Sequence, residues 1–513
     1  MLVERNRQLP ISAVRSATGI PFRRFKARPM SFCRIRKNEC IEFKGGVESS
    51  LEIINIISRS IRVDMYISDP DYVLTDLLVK SGVDKELRRR GVAKIGKYAI
   101  MVGDKEWTIF SVRDGNEWGR MYAVDWNSSP EQLESDIYEI LDGFGKSGWS
   151  IDRISAPIKM FEQLVYDNIP SSSIVNISSG AIDAIHLFRA WNCFRGGRME
   201  AMKLGSFKNV FDYDLNSAYF SILEKLPSLK PGFFEWVDSK EYIGNAEFGF
   251  CKCRVYIDED ILISPIAVTV AIGKKPFRSF FPVGESVCWR TKEEIDFIRR
   301  YDLGDVDIIE GSWAIPLRDG YRVFSGISKI LRSAIENHSS REYAKYIASI
   351  SWGKFASQGS PLWNPIYASF ITSRIRCLVT QIALLDPENV IAITVDGVLM
   401  KRDIQSNLIS NEIGSLKVRP HNNMWSLSDY YRYDPDQSRE GYTWSLSNNG
   451  ITVNIRHPTE GKTQIRVPFG STKRIGPKNL DLSKIKKNQY ELYPPTPEEA
   501  IEIYMSTQEF LVE

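Results

Sequence analysis

Soft metal ligands are scarce in this 513-residue chain: four histidines lie far apart, and seven cysteines (33, 40, 193, 251, 253, 288 and 377) show no paired CxxC spacing. That spacing argues against a zinc site or a disulfide framework and points to a reducing, intracellular setting. Cys251 and Cys253 alternate along FGFCKCRVYI, as residues packing one face of a strand do. No apolar run reaches membrane-spanning length, and the first residues are too charged for a secretory leader, so a soluble, cytoplasmic protein without membrane contact is expected. Internal repeats and low-complexity tracts are also missing.

Net charge of one sign is lacking too. Lys+Arg 67 against Asp+Glu 64 leaves a formal +3, so overall charge does not announce a polyanionic partner. Its distribution is uneven. Residues 1–44 carry eleven Lys/Arg and three Glu, and residues 455–487 carry nine Lys/Arg and two acids, giving two candidate phosphate-contacting surfaces. Read singly, each is equally a solvated basic face.

The length asks for three or four structural units, and 43% hydrophobic with 26% charged residues is ordinary for folded proteins. Three strand-like runs, YAIMV, WTIFSV and RMYAVDW, precede a helical pattern over SPEQLESDIYEILDGF and a strand WSIDRISA. That βββαβ order is the opening of a ribonuclease H-like fold, though short antiparallel meanders followed by a helix are common. Further on, residues 326–337 and the stretch through Trp352 predict two helices joined by a polar turn, with Ser339 and Glu342 as a capping box. Thr496, Pro497 and Glu499 predict the start of a last helix.

Three stretches carry candidate chemistry. In YDLNSAYFSIL an apolar strand turns into a helix, and alternation puts Asp212 and Asp214 on one strand face. AITVDGVLM reads as a hairpin with Asp396 at the tip of an almost wholly apolar strand, buried on both faces. Asp-Gly recurs at Asp114, Asp142 and Asp319, so the dipeptide alone says little. Two acids on neighbouring strand ends can hold two hard divalent ions for an in-line phosphoryl displacement. KYIASISWGKFAS supplies cations: Arg341 and Lys345 share a helix face, with Lys329 and Arg332 on the preceding helix. Taken singly, each of these is also a solvated face.

In this order the stretches resemble motifs A, B and C of the family B DNA polymerases, most closely the protein-primed branch of phages, adenoviruses and linear plasmids. The family's D-x-N-S-L-Y-P is matched by Asp214, Asn216, Ser217 and Tyr219, and its K-x-x-x-N-S-x-Y-G-K-F by Lys345, Gly353, Lys354 and Phe355. FRGGRMEA resembles the aromatic-x-G-G element, and NPIYASFITSRIR the helix between motifs B and C. The resemblance spans roughly residues 191–400. It implies a multidomain α/β (α+β) right hand: an N-terminal domain over 1–190 with a basic arm at 1–44, palm over 191–325 and 363–435, fingers over 326–362, and thumb over 436–513.

The resemblance also implies roles. Asp214, Asp396 and the Leu215 carbonyl would bind two magnesium ions, with manganese as an alternative, and Lys345 would assist catalysis at the triphosphate. Leu215, Asn216, Ser217, Ala218, Tyr219, Arg332, Arg341, Lys345, Ser349, Trp352 and Gly353 would form the nucleotide pocket, Tyr219 excluding a 2'-hydroxyl. Gly196, Gly197, Arg198 and Lys354 would face template or primer. Implied partners are DNA template and primer, deoxynucleoside triphosphates, and a terminal or replication accessory protein.

Departures from the family pattern qualify this. The third motif is usually D-T-D, whereas Thr394-Val395-Asp396 keeps one acid; Phe220 replaces proline, Ser349 asparagine and Trp352 tyrosine. Only Gln358 to Asn364 separate the second motif from the following helix, leaving no room for a hairpin that encircles downstream DNA, so limited strand displacement is expected. Asp104, Glu106 and Tyr138 to Asp142 fit two of three proofreading elements and the middle one is missing, so no working exonuclease is expected. A primer-independent primase or terminal transferase, and a catalytically silent nucleic-acid binder, stay open.

Overall fold

The computed structural model describes residues 2–3, 64–67, 92–95, 98–102, 106–111, 117–123, 142–145, 157–169, 182–270, 278–318, 322–336, 341–358, 360–405, 408–410 and 412–426, with 432–433, 443–446, 453–457, 461–465, 474–475 and 489–509. The chain folds as a larger unit (1–22, 171–323 and 352–513) and a smaller one (23–170 and 324–351). The Ser339 cap, Asp104 and the strand WSIDRISA lie outside the described residues, as do all but Leu2–Val3 of the expected basic arm and nearly all of the helix expected over SPEQLESDIYEILDGF.

In the larger unit the elements that position the site are α1 (Ala184–Cys193), β1 (Lys203–Leu215), α2 (Ala218–Leu223), β2 (Phe248–Ile257), β3 (Gly284–Thr291), α3 (Lys292–Tyr301), β4 (Gly304–Pro316), α4 (Trp352–Ala356), α5 (Pro365–Ala383), β5 (Val390–Thr394), β6 (Gly397–Met400) and β7 (Leu416–Ser426). One antiparallel sheet runs Arg432–Tyr433, β7, β1, β6, β5, Glu200–Ala201. Phe207, Val210, Ile391, Ala392, Leu399 and Met424 form the core on it. A second sheet, ordered Leu2–Val3, β3, β2, β4, Phe234–Asp238, pairs Cys253 with Cys288 across β2 and β3 and buries Cys251 and Cys253, as the alternation predicts.

α5 packs against α1, α2, α3 and α4. Asn364 caps it, its Oδ1 accepting from the Ile366 and Tyr367 amides, with Pro365 at the first position, where a missing N–H costs nothing. Because the helix is buried nearly all round, its hydroxyls satisfy themselves: Ser369, Thr372 and Thr380 each donate to the carbonyl four residues back. α3 opens on a capping box between Thr291 and Glu294. The expected last helix runs Pro497–Glu509, and its box is present: the Thr496 amide donates to Glu499 at 2.7 Å.

In the smaller unit the meander of the three predicted strands is present as Tyr98–Val102, Glu106–Ser111 and Glu117–Ala123. Its parallel neighbour, Asp64–Ile67, precedes it in the chain rather than following a helix. Ser325–Glu336 and Arg341–Ile350, the two predicted helices, pack on each other and on Pro157–Asn168. The unit boundary at 351/352 separates Lys345 and Ser349 from Trp352 and Gly353, so the fingers expected over 326–362 are divided between units. Among the described residues no helix is long and apolar enough to cross a membrane.

Gly397 sits where β6 meets β1. A Cβ there would lie 2.8 Å from the Tyr213 carbonyl oxygen and 2.8 Å from Thr394 Oγ1, so backbone would have to move. Gly397→Ala is therefore expected to cost about 1–3 kcal/mol in urea denaturation, the range for overpacking a tight site.

Candidate active site

The site is built by β1 lying between two antiparallel neighbours. Asp214 stands opposite Gly397 on β6 and opposite Lys417 on β7. The Leu215 amide donates to the Asp396 carbonyl oxygen at 2.8 Å, pinning the hairpin tip beside the end of β1. The chain then turns through Asn216, which is tied to the loop before β7. Its amide donates to Ser415 O at 2.9 Å, its side chain donates to Glu412 O at 2.9 Å, and the Gly414 amide donates to its carbonyl at 2.8 Å. Ser217, left-handed at φ 52°, redirects the backbone into α2.

The electrostatics follow from that convergence. Asp214 is raised to about 6, first by burial, then by Asp396 and, less, Asp212, with Arg419 and Lys417 opposing. Asp396 is raised as well, first by burial and then by Asp212, against a lowering backbone hydrogen bond. The cations of β7, Arg419 and Lys417, compensate only in part. Arg419 approaches Asp214 at 3.8 Å from an exposed position, His421 Nε2 stands 3.9 Å from Asp212, and Lys417 donates to Asn216 Oδ1 at 2.7 Å. Two carboxylates crowded into one strand end, both resisting ionisation, form an oxygen donor set suited to a hard divalent cation. No group of three or more His, Cys, Asp or Glu placed to hold a metal occurs among the described residues.

Tyr219, the first aromatic of α2, is 6% exposed and stacks on Trp352 at 4.9 Å and 13°. Its buried hydroxyl has no hydrogen-bond partner among the described residues, and burial followed by the Asp396 charge pushes its pKa up. Ala218 is buried, while Leu215 closes the strand. Around Gly353 no heavy atom would lie within 4 Å of an added Cβ, so that surface of α4 is open, with Lys354 half-buried beside it.

Beside the hairpin lies the glycine pair. A Cβ on Gly197 would come 2.6 Å from Val395 Cγ1, which accounts for glycine there as a close approach; Gly196 is exposed with open space around it. The loop is fixed from below. Arg376 on α5 donates to the Arg195 and Gly196 carbonyls at 2.9 Å each, and to Glu294 at 2.7 Å. Burial would raise the Glu294 pKa, but Arg376 and Arg290 outweigh it and the carboxyl stays below its ordinary range. Arg198, expected to face nucleic acid, does not. It is fully buried, bonded to Glu200 at 2.6 Å and Thr380 at 2.7 Å, and lies over the Phe281 ring, so it supports the loop from inside.

In the smaller unit, Arg341 is exposed, Lys345 and Arg332 half-buried, and the exposed Ser349 donates to the Lys345 carbonyl at 2.9 Å. Sequence reasoning missed Lys417, Arg419, Arg376 and Glu294. The alternation Lys417-Val418-Arg419 was the available signal for the first two; for the buried pair there was none.

The chain matches no family model. It is 26% identical over 239 residues to a protein of Acidianus bottle-shaped virus (isolate Italy/Pozzuoli) named DNA polymerase, a match covering 44% of this chain and 35% of that protein. The chain resembles a viral DNA polymerase. It thus spans about a third of the curated relative's length. Among solved structures, Phi29 DNA polymerase in an orthorhombic crystal form is similar at 12% identity and TM-score 0.48, over 86% of this chain and 92% of that one. Phi29 DNA polymerase complexed with primer-template DNA and incoming nucleotide is similar at 12% identity and TM-score 0.44, over 80% and 92%.

The raised Asp214 carboxyl opposes folding once ionised. The unfolded chain releases this proton near 3.8 and the folded chain near 6, so stability falls as pH rises between them and the full penalty stands above 6. In metal-free buffer at pH 7.5, Asp214→Asn is expected to be more stable than wild type by about 1 kcal/mol, allowing for solvent screening, with the gain vanishing toward pH 4. Chemical denaturation of both proteins across that range measures it.

Proposed function

We propose that the chain is a DNA-templated DNA polymerase that adds deoxynucleotides to a primer 3'-hydroxyl, without proofreading and with limited strand displacement. The observation that carries this reading is the β1–β6 register, which brings Asp214 and Asp396 together at one sheet end beside the buried, stacked Tyr219. Sequence similarity to a protein named DNA polymerase supports it.

In this reading Asp214, Asp396 and the Leu215 carbonyl hold two divalent ions, magnesium or manganese, which when bound neutralise phosphate charge and lower the pKa of the attacking hydroxyl. The 3'-oxygen bonds to the α-phosphorus as the bond to the β-phosphate's bridging oxygen breaks; pyrophosphate leaves and the hydroxyl proton passes to solvent. Tyr219, stacked on Trp352, would lie under the sugar and exclude a 2'-hydroxyl, as the resemblance implies. Ser217, Ala218 and Gly353 belong to the nucleotide pocket and Asn216 sets the turn beneath it, while the roles of Arg332, Arg341, Lys345 and Ser349 toward the triphosphate and base rest on the motif resemblance alone. Gly196, Gly197 and Lys354 face the duplex. Arg419 and Lys417 are added as cations near the primer terminus. A terminal or accessory protein and a host-cytoplasmic location complete the reading.

Incubating the protein with labelled deoxynucleotides, magnesium and either primed or unprimed DNA separates the readings. Extension confined to the primed template is expected. Product on the unprimed template alone would favour a primase or terminal transferase, and no product on either, with magnesium or manganese, would leave a silent binder.

A further inference from the structure

A cavity of about 360 Å³ opens in the larger unit between α2, α3 and α5, and none of the carboxylate-site residues lines it. Its wall carries five cations, Lys225, Lys292, Arg300, Arg322 and Arg374, against three acids, Glu247, Glu293 and Asp296. Two of the acids are already engaged: Asp296 bonds Lys292 at 2.6 Å and Glu247 meets Arg322 at 3.2 Å. That leaves Lys225, Arg300 and Arg374, all exposed and none with an ion-pair partner among the described residues, facing one remaining carboxyl. Glu293, half-buried in the wall, has its carboxyl raised to about 8, first by burial and then by Asp296, with Arg374 and Lys292 opposing.

Apart from Gln381, the rest of the wall is largely apolar. Ile222, Ala246 and Phe297 are buried behind the cations, and Phe370 and Leu378 reach it from α5. Surplus cations around a pocket of this volume that also carries apolar surface suit a small amphipathic anion. Guanidinium forks match phosphate oxygens bidentately, Phe297 and Phe370 offer surface to a ring, and the paired carboxylates of Glu247 and Asp296 can accept from exocyclic amines.

We propose that this cavity binds a phosphate-bearing ligand with a flat ring, of the mononucleotide class, at a site separate from the carboxylate pair. The assignment is independent of the polymerase reading. It also has a structural consequence, since Arg300 lies on α3 and Arg374 on α5, the two helices joined by the buried Glu294–Arg376 pair. A phosphate bridging them would tighten the junction that supports the Arg195–Gly196 loop.

The test is fluorescence titration of the full chain with ethenoadenosine monophosphate in EDTA, which strips divalent ions from the carboxylates, with inorganic phosphate and a single-stranded oligonucleotide as competitors. Saturable binding is expected. Arg374→Gln, at an exposed position, should weaken it at least tenfold; Leu378→Trp should abolish it by filling the cavity; and Asp396→Asn should leave it unchanged. Equal binding by wild type, Arg374→Gln and Leu378→Trp would overturn the proposal. So would competition by inorganic phosphate as effective as by the unlabelled nucleotide, which marks an adventitious ion only, or competition by the oligonucleotide alone, which assigns the rim to a nucleic-acid backbone.

Discussion

The pairing of β1 with β6 on one side and β7 on the other is the constraint on which the site depends. A strand's side chains alternate between faces, so a slip of one residue would turn Asp212 and Asp214 away from Asp396 and bury them in the core. Register is therefore fixed by what lies below the acids: Tyr213, fully buried between them, and the apolar set Phe207, Val210, Ile391, Leu399 and Met424. The same pairing places the cations of β7 at the carboxylates, Lys417 opposite Asp214 and Arg419 opposite Asp212.

A second layer holds the backbone around those acids. Arg376, Glu294, Arg198 and Glu200 are all buried, and each ion has a partner. Buried pairs of this kind add little net stability, because desolvation offsets much of their attraction, and breaking one is costly. Their contribution is geometric. Arg376 fixes two successive carbonyls of the glycine loop, and Gly197 in turn abuts Val395, the residue before Asp396. The Asp396 turn is thus positioned from α5 through a polar strut and a van der Waals contact.

Much of this was legible in the sequence where a residue type carries one dominant meaning. Asp214 and Asp396 end apolar runs, Gly197 of the glycine pair marks a close approach, and the alternation at Cys251 and Cys253 marks one strand face. Arginine carries no such single meaning. Arg198 reads as a surface cation beside a glycine pair and is in fact buried, because its partner Glu200 and the hydroxyl of Thr380, 182 positions on, are not marked in the chain. Arg419 was missed for the complementary reason: its relation to Asp214 exists only through strand pairing. The division at 351/352 was equally hidden, since it cuts through one continuous helical pattern.

The central claim is that Asp214 and Asp396 together form the reactive centre. Single-turnover addition of one deoxynucleotide to a primed DNA template, comparing wild type with Asp214→Asn and Asp396→Asn at matched DNA occupancy, tests it most directly. A loss of at least a thousandfold in rate is expected for each variant, with DNA affinity retained. Near-wild-type addition by either variant would contradict it.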